Sequence, residues 1–171
     1  LFGYANPRID AAYVRQLEQG DALTGPTGLM VELAEAFVAL VSHADWAMFC
    51  KNGTDATTMA MMTARQHTGR KTLVLARGAY HGAAPWCTPR PAGTTAEDKA
   101  NQVFCAYNDI ASLEAAVARA GDDLAAIFAA PFRHDAFIDQ AAPDLAYARR
   151  ARELADQHGA LLVVDDVRAG L

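Results

Sequence analysis

Continuously apolar runs alternate along the chain with stretches that carry apolar residues at helical spacing. The apolar runs do not alternate with polar residues, which is typical of strands that are covered on both faces of a sheet. Five such runs are predicted to be strands: residues 46–50, 72–75, 102–107, 124–129 and 160–164. Helical stretches separate most of them, and this order predicts an α/β fold, a three-layer α/β/α arrangement with a mainly parallel central sheet.

The helical stretches have recognisable beginnings and ends. Asp10 is expected to cap a first helix over residues 11–17 that ends at Gly20. Residues 29–41 form a second helix whose apolar spacing predicts that it faces a core. Three more helices are predicted: one after Asn52 that contains Met59, one over residues 109–120, and one that Pro143 and Asp144 open and that runs to about Gln157.

Composition narrows the function classes. The 171 residues carry 20 acidic and 15 basic side chains, a net charge of −5, which gives no electrostatic reason to expect a nucleic-acid or anionic-membrane partner. No stretch approaches the roughly 20 apolar residues of a membrane helix. No paired histidine or cysteine spacing indicates a metal site. A cytoplasmic location is therefore the default expectation.

Candidate chemistry is sought where the predicted strands end, because ligands of open parallel sheets lie beyond the carboxyl ends of the strands. Asn52, Gly53 and Thr54 stand where a predicted strand turns into a helix. Unpaired backbone N–H groups, a glycine and a hydroxyl there could cradle an anion. An ordinary capped helix start explains the same residues, and the sequence leaves both interpretations open.

Two further places carry polar or aromatic groups after a strand. Tyr80 and His81 lie between glycines after the second predicted strand, where rings could stack on a flat ligand or simply pack against the sheet. Asp165 directly follows four apolar residues at the end of what reads as a central buried strand. A carboxylate there needs a cationic or hydrogen-bonding partner to offset its desolvation, which makes Asp165 the most telling acid of the chain.

Taken together, these motifs resemble those of the class-III aminotransferases, fold-type I enzymes that use pyridoxal phosphate, and most closely the glutamate-1-semialdehyde 2,1-aminomutase-like members. The similarity extends over nearly the whole chain, and the order and spacing of the motifs carry it. The matching motifs are Gly3-Tyr4-Ala5-Asn6-Pro7, Gly25-Pro26-Thr27, Asn52-Gly53-Thr54-Asp55-Ala56, Tyr80-His81-Gly82, Tyr107-Asn108-Asp109 and Asp165-Asp166-Val167.

The resemblance implies a role for each site residue. The phosphate of pyridoxal phosphate would be held by Asn52, Gly53 and Thr54. Tyr80 would stack on the pyridine ring, and Val167 would pack against its opposite face. Asp165 would pair with the pyridinium nitrogen and is the residue expected to act in catalysis. Asp135 stands near the position of an asparagine that contacts the cofactor's 3-hydroxyl group. The resemblance also implies a homodimer.

The chain departs from the family pattern in ways that affect function. Asn52 replaces the usual serine, and Ala130 replaces the acid of a Glu-Pro-Val element. The family's Schiff-base lysine would lie beyond residue 171, since Lys51, Lys71 and Lys99 fall at other motif positions. With no initiator methionine, the chain is expected to be a piece of a longer protein and inactive by itself.

The predicted organisation is an N-terminal helix and loop over residues 1–28, followed by a cofactor-binding large domain over residues 29–171 that is incomplete at its C-terminus. The predicted function is pyridoxal-phosphate-dependent amino-group transfer, as an aminotransferase or an aminomutase, with a small-molecule amino donor and a carbonyl acceptor. The alternative is a non-catalytic homologue that keeps the fold for binding or interaction.

Overall fold

The computed structural model describes residues 3–20, 24–90, 92–133 and 139–170. The chain forms two compact units, Leu1–Phe49 and Cys50–Leu171. No helix within the described residues is long and apolar enough to cross a membrane. The predicted domain boundary after residue 28 stays a prediction.

The first unit contains two helices, α1 (Pro7–Gln19) and α2 (Gly28–Leu40). The expectation that Asp10 caps α1 is wrong, because the helix begins at Pro7 and the Asn6 side chain accepts the Arg8 N–H. An asparagine cap with a proline directly after it is a stronger start signal than an aspartate four residues after that cap. The predicted end at Gly20 is confirmed.

Two apolar segments of this unit differ from their predictions. Within the chain, α2 has no buried residue, and Leu33 is 53% exposed, so the predicted core-facing packing is not observed. Residues 46–50 form no strand. An apolar run becomes a strand only when a neighbouring strand completes its hydrogen bonds, and none of the described residues pairs with this segment.

The second unit is built on a four-stranded sheet, and its strands are β1 (Thr72–Ala76), β2 (Gln102–Cys105), β3 (Leu124–Ala129) and β4 (Leu161–Val164). They lie in the order β2-β1-β3-β4, and every neighbouring pair is parallel. The predicted parallel sheet is confirmed. However, β4 lies at an edge of the described sheet rather than at its centre.

Helices cover both faces of this sheet, as the three-layer prediction requires. They are α3 (Gly53–Thr68), α4 (Ile110–Ala120) and α5 (Leu145–Gln157), and short 3-10 turns occur at Glu97–Lys99 and Gly121–Asp123. One face packs Leu73, Leu75 and Phe128 against α3. Successive strand residues point to opposite faces, so Val74 and Ile127 pack against α4 and α5.

Hydrogen bonds from side chains tie the strands together at their amino ends. The Arg70 guanidinium donates to the main-chain oxygens of Leu124 and His158, which belong to the start of β3 and the turn before β4. Asp123 accepts from the Thr72 hydroxyl and the Lys71 N–H, and the Thr72 hydrogen bond lowers the pKa of its carboxyl group. This edge fixes the relative position of the strands, while the loops of the opposite edge are available for chemistry.

Candidate functional site

The amino end of α3 presents unpaired backbone donors. The Asn52 side chain caps the helix, because its Oδ1 accepts the Asp55 N–H at 3.0 Å and its Nδ2 donates to Asp55 Oδ2 at 3.1 Å. The N–H groups of Gly53 and Thr54 have no hydrogen-bond partner among the described residues. With the positive end of the helix dipole behind them, these two groups favour an anion.

The hydroxyl of Thr54 is oriented by a loop that follows β1. The Ala83 N–H donates to Thr54 Oγ1 at 3.1 Å. This bond uses an oxygen lone pair and leaves the hydroxyl hydrogen able to donate to another acceptor. Helix α3 and the loop therefore present two N–H groups and one O–H in the same place.

Gly82 allows the loop and the helix to come this close. A Cβ at position 82 would lie 2.7 Å from Thr54 Oγ1 and 3.0 Å from Thr54 Cα, and φ there is +130°. A side chain would meet both a steric clash and a backbone conformation that L-residues rarely adopt. Only glycine fits this position without a shift of the helix or the loop.

His81, the residue before Gly82, is buried beneath the site. The residue is 2% exposed, and its ring makes a T-shaped contact with Phe128, with 5.7 Å between ring centroids. Its main-chain oxygen accepts the Thr57 hydroxyl at 2.6 Å. Its Nδ1 lies 2.9 Å from Asp165 Oδ2. The sequence-predicted need of Asp165 for a hydrogen-bonding partner is thus met by His81.

Asp165 follows β4 and lies among these groups. Its N–H continues the sheet by donating to Ala129 O at 2.8 Å, and its side chain is 9% exposed. The second carboxylate oxygen, Oδ1, accepts the Val167 N–H at 3.4 Å. Val167 Cγ2 lies 3.6 Å from the position of a Cβ on Gly53. The segment after β4 therefore lies beside the start of α3.

The structure thus places most of the predicted site residues at one edge of the sheet. Gly53, Thr54, Asp165 and Val167 meet there with Asn52 as the helix cap. Tyr80 is 46% exposed and precedes the buried His81 in the chain. Asp135, the remaining prediction, lies outside the described residues.

Cys87 completes the surroundings of His81. Its main-chain oxygen accepts the His81 N–H at 3.4 Å, and its side chain is buried. Burial raises the pKa of the Cys87 thiol, and the negative charge of Asp165 raises it further. The thiol is accordingly neutral near pH 7 and adds no second negative charge beside Asp165.

Sequence reasoning missed how three residues build the site. It did not pair His81 with Asp165, and it gave no role to Thr57 or Gly82. A signal existed for Gly82, because a glycine directly after two ring residues in a loop can mark a close backbone approach. Pairing His81 with Asp165 required the strand order, since β3 lies between β1 and β4.

The described fold is an α/β domain in which the N–H groups at the start of α3, the Thr54 hydroxyl and the shielded Asp165 carboxylate lie at the carboxyl edge of a parallel sheet. The chain belongs to the aminotransferase class-III family, whose model matches residues 1–171. The resemblance inferred from the motifs is confirmed.

Two curated relatives show how the similarity is distributed. The chain is 57% identical over 170 residues to an aminopentol aminotransferase of Sphingopyxis macrogoltabida. That match covers 99% of this chain and 40% of the relative. The chain is also 33% identical over 182 residues to a glutamate-1-semialdehyde 2,1-aminomutase of Hyperthermus butylicus. That match covers 99% of this chain and 42% of the relative. The chain therefore spans about two fifths of the length of these proteins.

A solved structure agrees with the sequence comparisons. The FumI protein of Sphingopyxis sp. MTA144, solved as its pyridoxal-phosphate internal aldimine form, matches with a TM-score of 0.95 and 57% identity. The match covers 98% of this chain and 41% of that one. The fold is accordingly that of the fold-type I transaminases.

Proposed function

We propose that the whole protein transfers an amino group from a small-molecule donor to a carbonyl acceptor and uses pyridoxal phosphate as its cofactor. This chain supplies part of the cofactor-binding domain. One observation carries the proposal: the N–H groups of Gly53 and Thr54, which can bind an anion, and the shielded carboxylate of Asp165 lie at the same edge of the sheet. Family membership and the cofactor-containing form of the similar FumI structure support it.

The residues at the start of α3 fit the phosphate of this cofactor. Gly53 and Thr54 offer N–H groups without a partner in the described structure, and the Thr54 hydroxyl keeps a hydrogen to donate. Asn52 contributes by capping the helix, which points these N–H groups outward. These donors suit a phosphate better than a carboxylate, because a phosphate has three strong acceptor oxygens.

Asp165 fits the ring nitrogen. When bound, pyridoxal phosphate supplies an electron sink for the carbanion formed at the substrate carbon, and a protonated ring nitrogen makes that sink stronger. The Asp165 carboxylate would hold the proton on that nitrogen, because little solvent screens its negative charge. Tyr80 and Val167 would pack against the two ring faces, and Asp135, which lies outside the described residues, would contact the 3-hydroxyl group.

The lysine that carries the cofactor is proposed to lie beyond residue 171. Lys71 precedes β1 and so lies at the opposite edge of the sheet from Asp165. The Lys99 ammonium donates to the main-chain oxygen of Thr88. Lys51 is exposed and precedes the cap residue Asn52. None of the three has a position that favours the role.

The type of reaction and the assembly are further parts of the proposal. The name of the relative at 57% identity supports an aminotransferase over an aminomutase. The comparisons do not favour a non-catalytic role. A homodimer and a cytoplasmic location stay predictions from the sequence.

The proposal is tested by Asp165→Asn in the whole protein. The amide keeps the shape and a hydrogen bond but removes the charge that holds the ring proton. We expect cofactor binding to weaken and the amino-donor half-reaction of cofactor-saturated protein to slow by about 100-fold or more. Single-turnover absorbance measurements of that half-reaction provide the rate.

Asp166→Asn is the matched control, because Asp166 adjoins Asp165 but has an exposed position. We expect this control to react at close to the parent rate. An unchanged half-reaction rate in Asp165→Asn, with lowered stability only, would show that Asp165 is a structural partner of His81 and would refute its proposed role.

A further inference from the structure

A cavity of about 200 Å³ lies between the strands β1 and β2 and the loop that follows β1. Leu75 of β1 and Phe104 of β2 line its sheet side, and Trp86 and Pro89 line its loop side. Of the described residues that are proposed to hold the cofactor, none lines this cavity. The proposed function therefore gives it no role.

Side-chain hydrogen bonds hold the loop in place and so keep the cavity open. The Trp86 indole N–H donates to Thr58 Oγ1 at 3.1 Å. Gln102 Nε2 donates to the main-chain oxygen of Trp86, and the Lys99 ammonium donates to that of Thr88. Because these bonds already fix the walls, a ligand would lose little free energy in ordering them.

Two cationic side chains, Arg77 and Lys99, line the cavity, whereas no carboxylate of the described residues does. Lys99 uses one of its three ammonium N–H groups on Thr88. The Arg77 guanidinium carbon lies 5.9 Å from the centroid of the Phe104 ring. Neither cation has an ion-pair partner in the part of the chain that the structure describes. The cavity therefore presents unpaired positive charge beside apolar walls.

We propose that this cavity binds a small carboxylate with an apolar body, such as an aromatic acid. The carboxylate accepts hydrogen bonds from Lys99 and Arg77, and the body packs against Leu75, Trp86 and Phe104. The volume is below the roughly 300–1,000 Å³ of pockets for drug-sized ligands, which limits the ligand to about ten non-hydrogen atoms. An inorganic anion would leave the apolar walls unfilled, and a hydrocarbon would leave the cations unpaired.

The cavity adjoins the residues that are proposed to hold the cofactor phosphate. Cys87, whose buried side chain lines the cavity, has its Sγ 3.0 Å from the position of a Cβ on Gly82. The same position lies 2.7 Å from Thr54 Oγ1. Cys87 and Thr54 thus both lie against Gly82, but Thr54 does not line the cavity. We therefore expect the cavity to accept its ligand while the cofactor is bound.

The test titrates 4-fluorobenzoate into the cofactor-loaded whole protein and follows the ¹⁹F NMR signal of the acid. We expect a dissociation constant of about 1 mM or lower, which is reasonable for a ligand of this size. The uncharged 4-fluorobenzamide has nearly the same shape and should bind at least about 10-fold more weakly. Inorganic phosphate at an equal concentration should not displace the acid, because it cannot fill the apolar part of the cavity.

Two variants locate the bound acid. Lys99→Gln should raise the dissociation constant of 4-fluorobenzoate about 5-fold or more, and Arg77→Gln should raise it about 3-fold. Arg77→Gln keeps the hydrogen bonds of the loop, because the Arg77 side chain makes none with the described residues, so its result stands even if Lys99→Gln displaces the loop. Lys71→Gln is the matched control, since Lys71 is exposed and precedes β1 at the opposite edge of the sheet.

Several results would overturn the inference: no binding of the acid up to about 10 mM, equal binding of the acid and the amide, displacement by phosphate, or unchanged binding in both variants. Each of them leaves the proposed function standing, because that function is tested by the half-reaction of Asp165→Asn. If the parent protein binds no pyridoxal phosphate, the proposed function fails, and the same titration of the unloaded protein still tests the cavity.

Discussion

Replacing Gly82 with alanine should damage both the stability and the cofactor affinity of the whole protein. The added Cβ would lie 2.7 Å from Thr54 Oγ1, 3.0 Å from Thr54 Cα and 3.0 Å from Cys87 Sγ. The β-branched Thr54 side chain is stiff, and its oxygen is bonded to the Ala83 N–H, so it does not move aside freely. The loop must separate from α3 instead.

The expected loss has two parts. An alanine forced to a positive φ costs about 1–2 kcal/mol. Overpacking of a buried contact adds about 1–3 kcal/mol. The free energy of unfolding of Gly82→Ala should therefore fall by about 2–5 kcal/mol. Because the separation also breaks the bond that orients Thr54, the dissociation constant for pyridoxal phosphate should rise by about 10-fold.

Urea unfolding and cofactor titration of the whole protein measure the two effects. Gly93→Ala is the matched control: Gly93 also has a positive φ, +77°, but nothing lies within 4 Å of its Cβ position. The control should show the conformational cost only and leave affinity unchanged. If Gly82→Ala and Gly93→Ala lose the same stability to within about 0.5 kcal/mol and bind the cofactor equally, the close approach of loop and helix has no energetic importance.

Two further predictions concern the cap and the lysine. Asn52→Ala should lower the free energy of unfolding by about 1 kcal/mol through loss of the helix cap, as chemical denaturation can measure; no loss would show that the bond to the Asp55 N–H contributes nothing. Borohydride reduction of the cofactor-loaded whole protein, followed by peptide mapping, should label a lysine outside residues 1–171. Stoichiometric label on Lys51, Lys71 or Lys99 would contradict that expectation.

The sequence predicts the sheet well because its strands are buried on both faces. Continuously apolar runs leave few other interpretations, and β3 begins and ends at the predicted residues. Residues 46–50 are also continuously apolar but form no strand. A strand needs a neighbouring strand to pair with, and the local sequence does not reveal whether one is present. Strand order is equally hidden in a local pattern, so the sequence alone does not reveal that β4 lies at an edge of the described sheet.

The candidate site was predictable in its individual residues but not in its internal bonds. Asp165 stands out in the sequence because a carboxylate after four apolar residues requires a cationic or hydrogen-bonding partner. That partner, His81, is 84 residues away in the chain and becomes visible only once the strands are ordered. Asn52 had two interpretations, and the structure shows the capping contact, while its contribution to phosphate binding stays a prediction.

The position of Arg70 has a consequence for how the loops of this chain can change. Its bonds to Leu124 O and His158 O lie at the amino ends of the strands, far along the sheet from the loops that carry His81 and Asp165. These bonds at the amino ends of β3 and β4 are therefore separate from the loops at the carboxyl ends. We therefore expect substitutions in the carboxyl-edge loops to alter the candidate site before they alter the alignment of β3 and β4, because the bonds of Arg70 lie at the other ends of these strands.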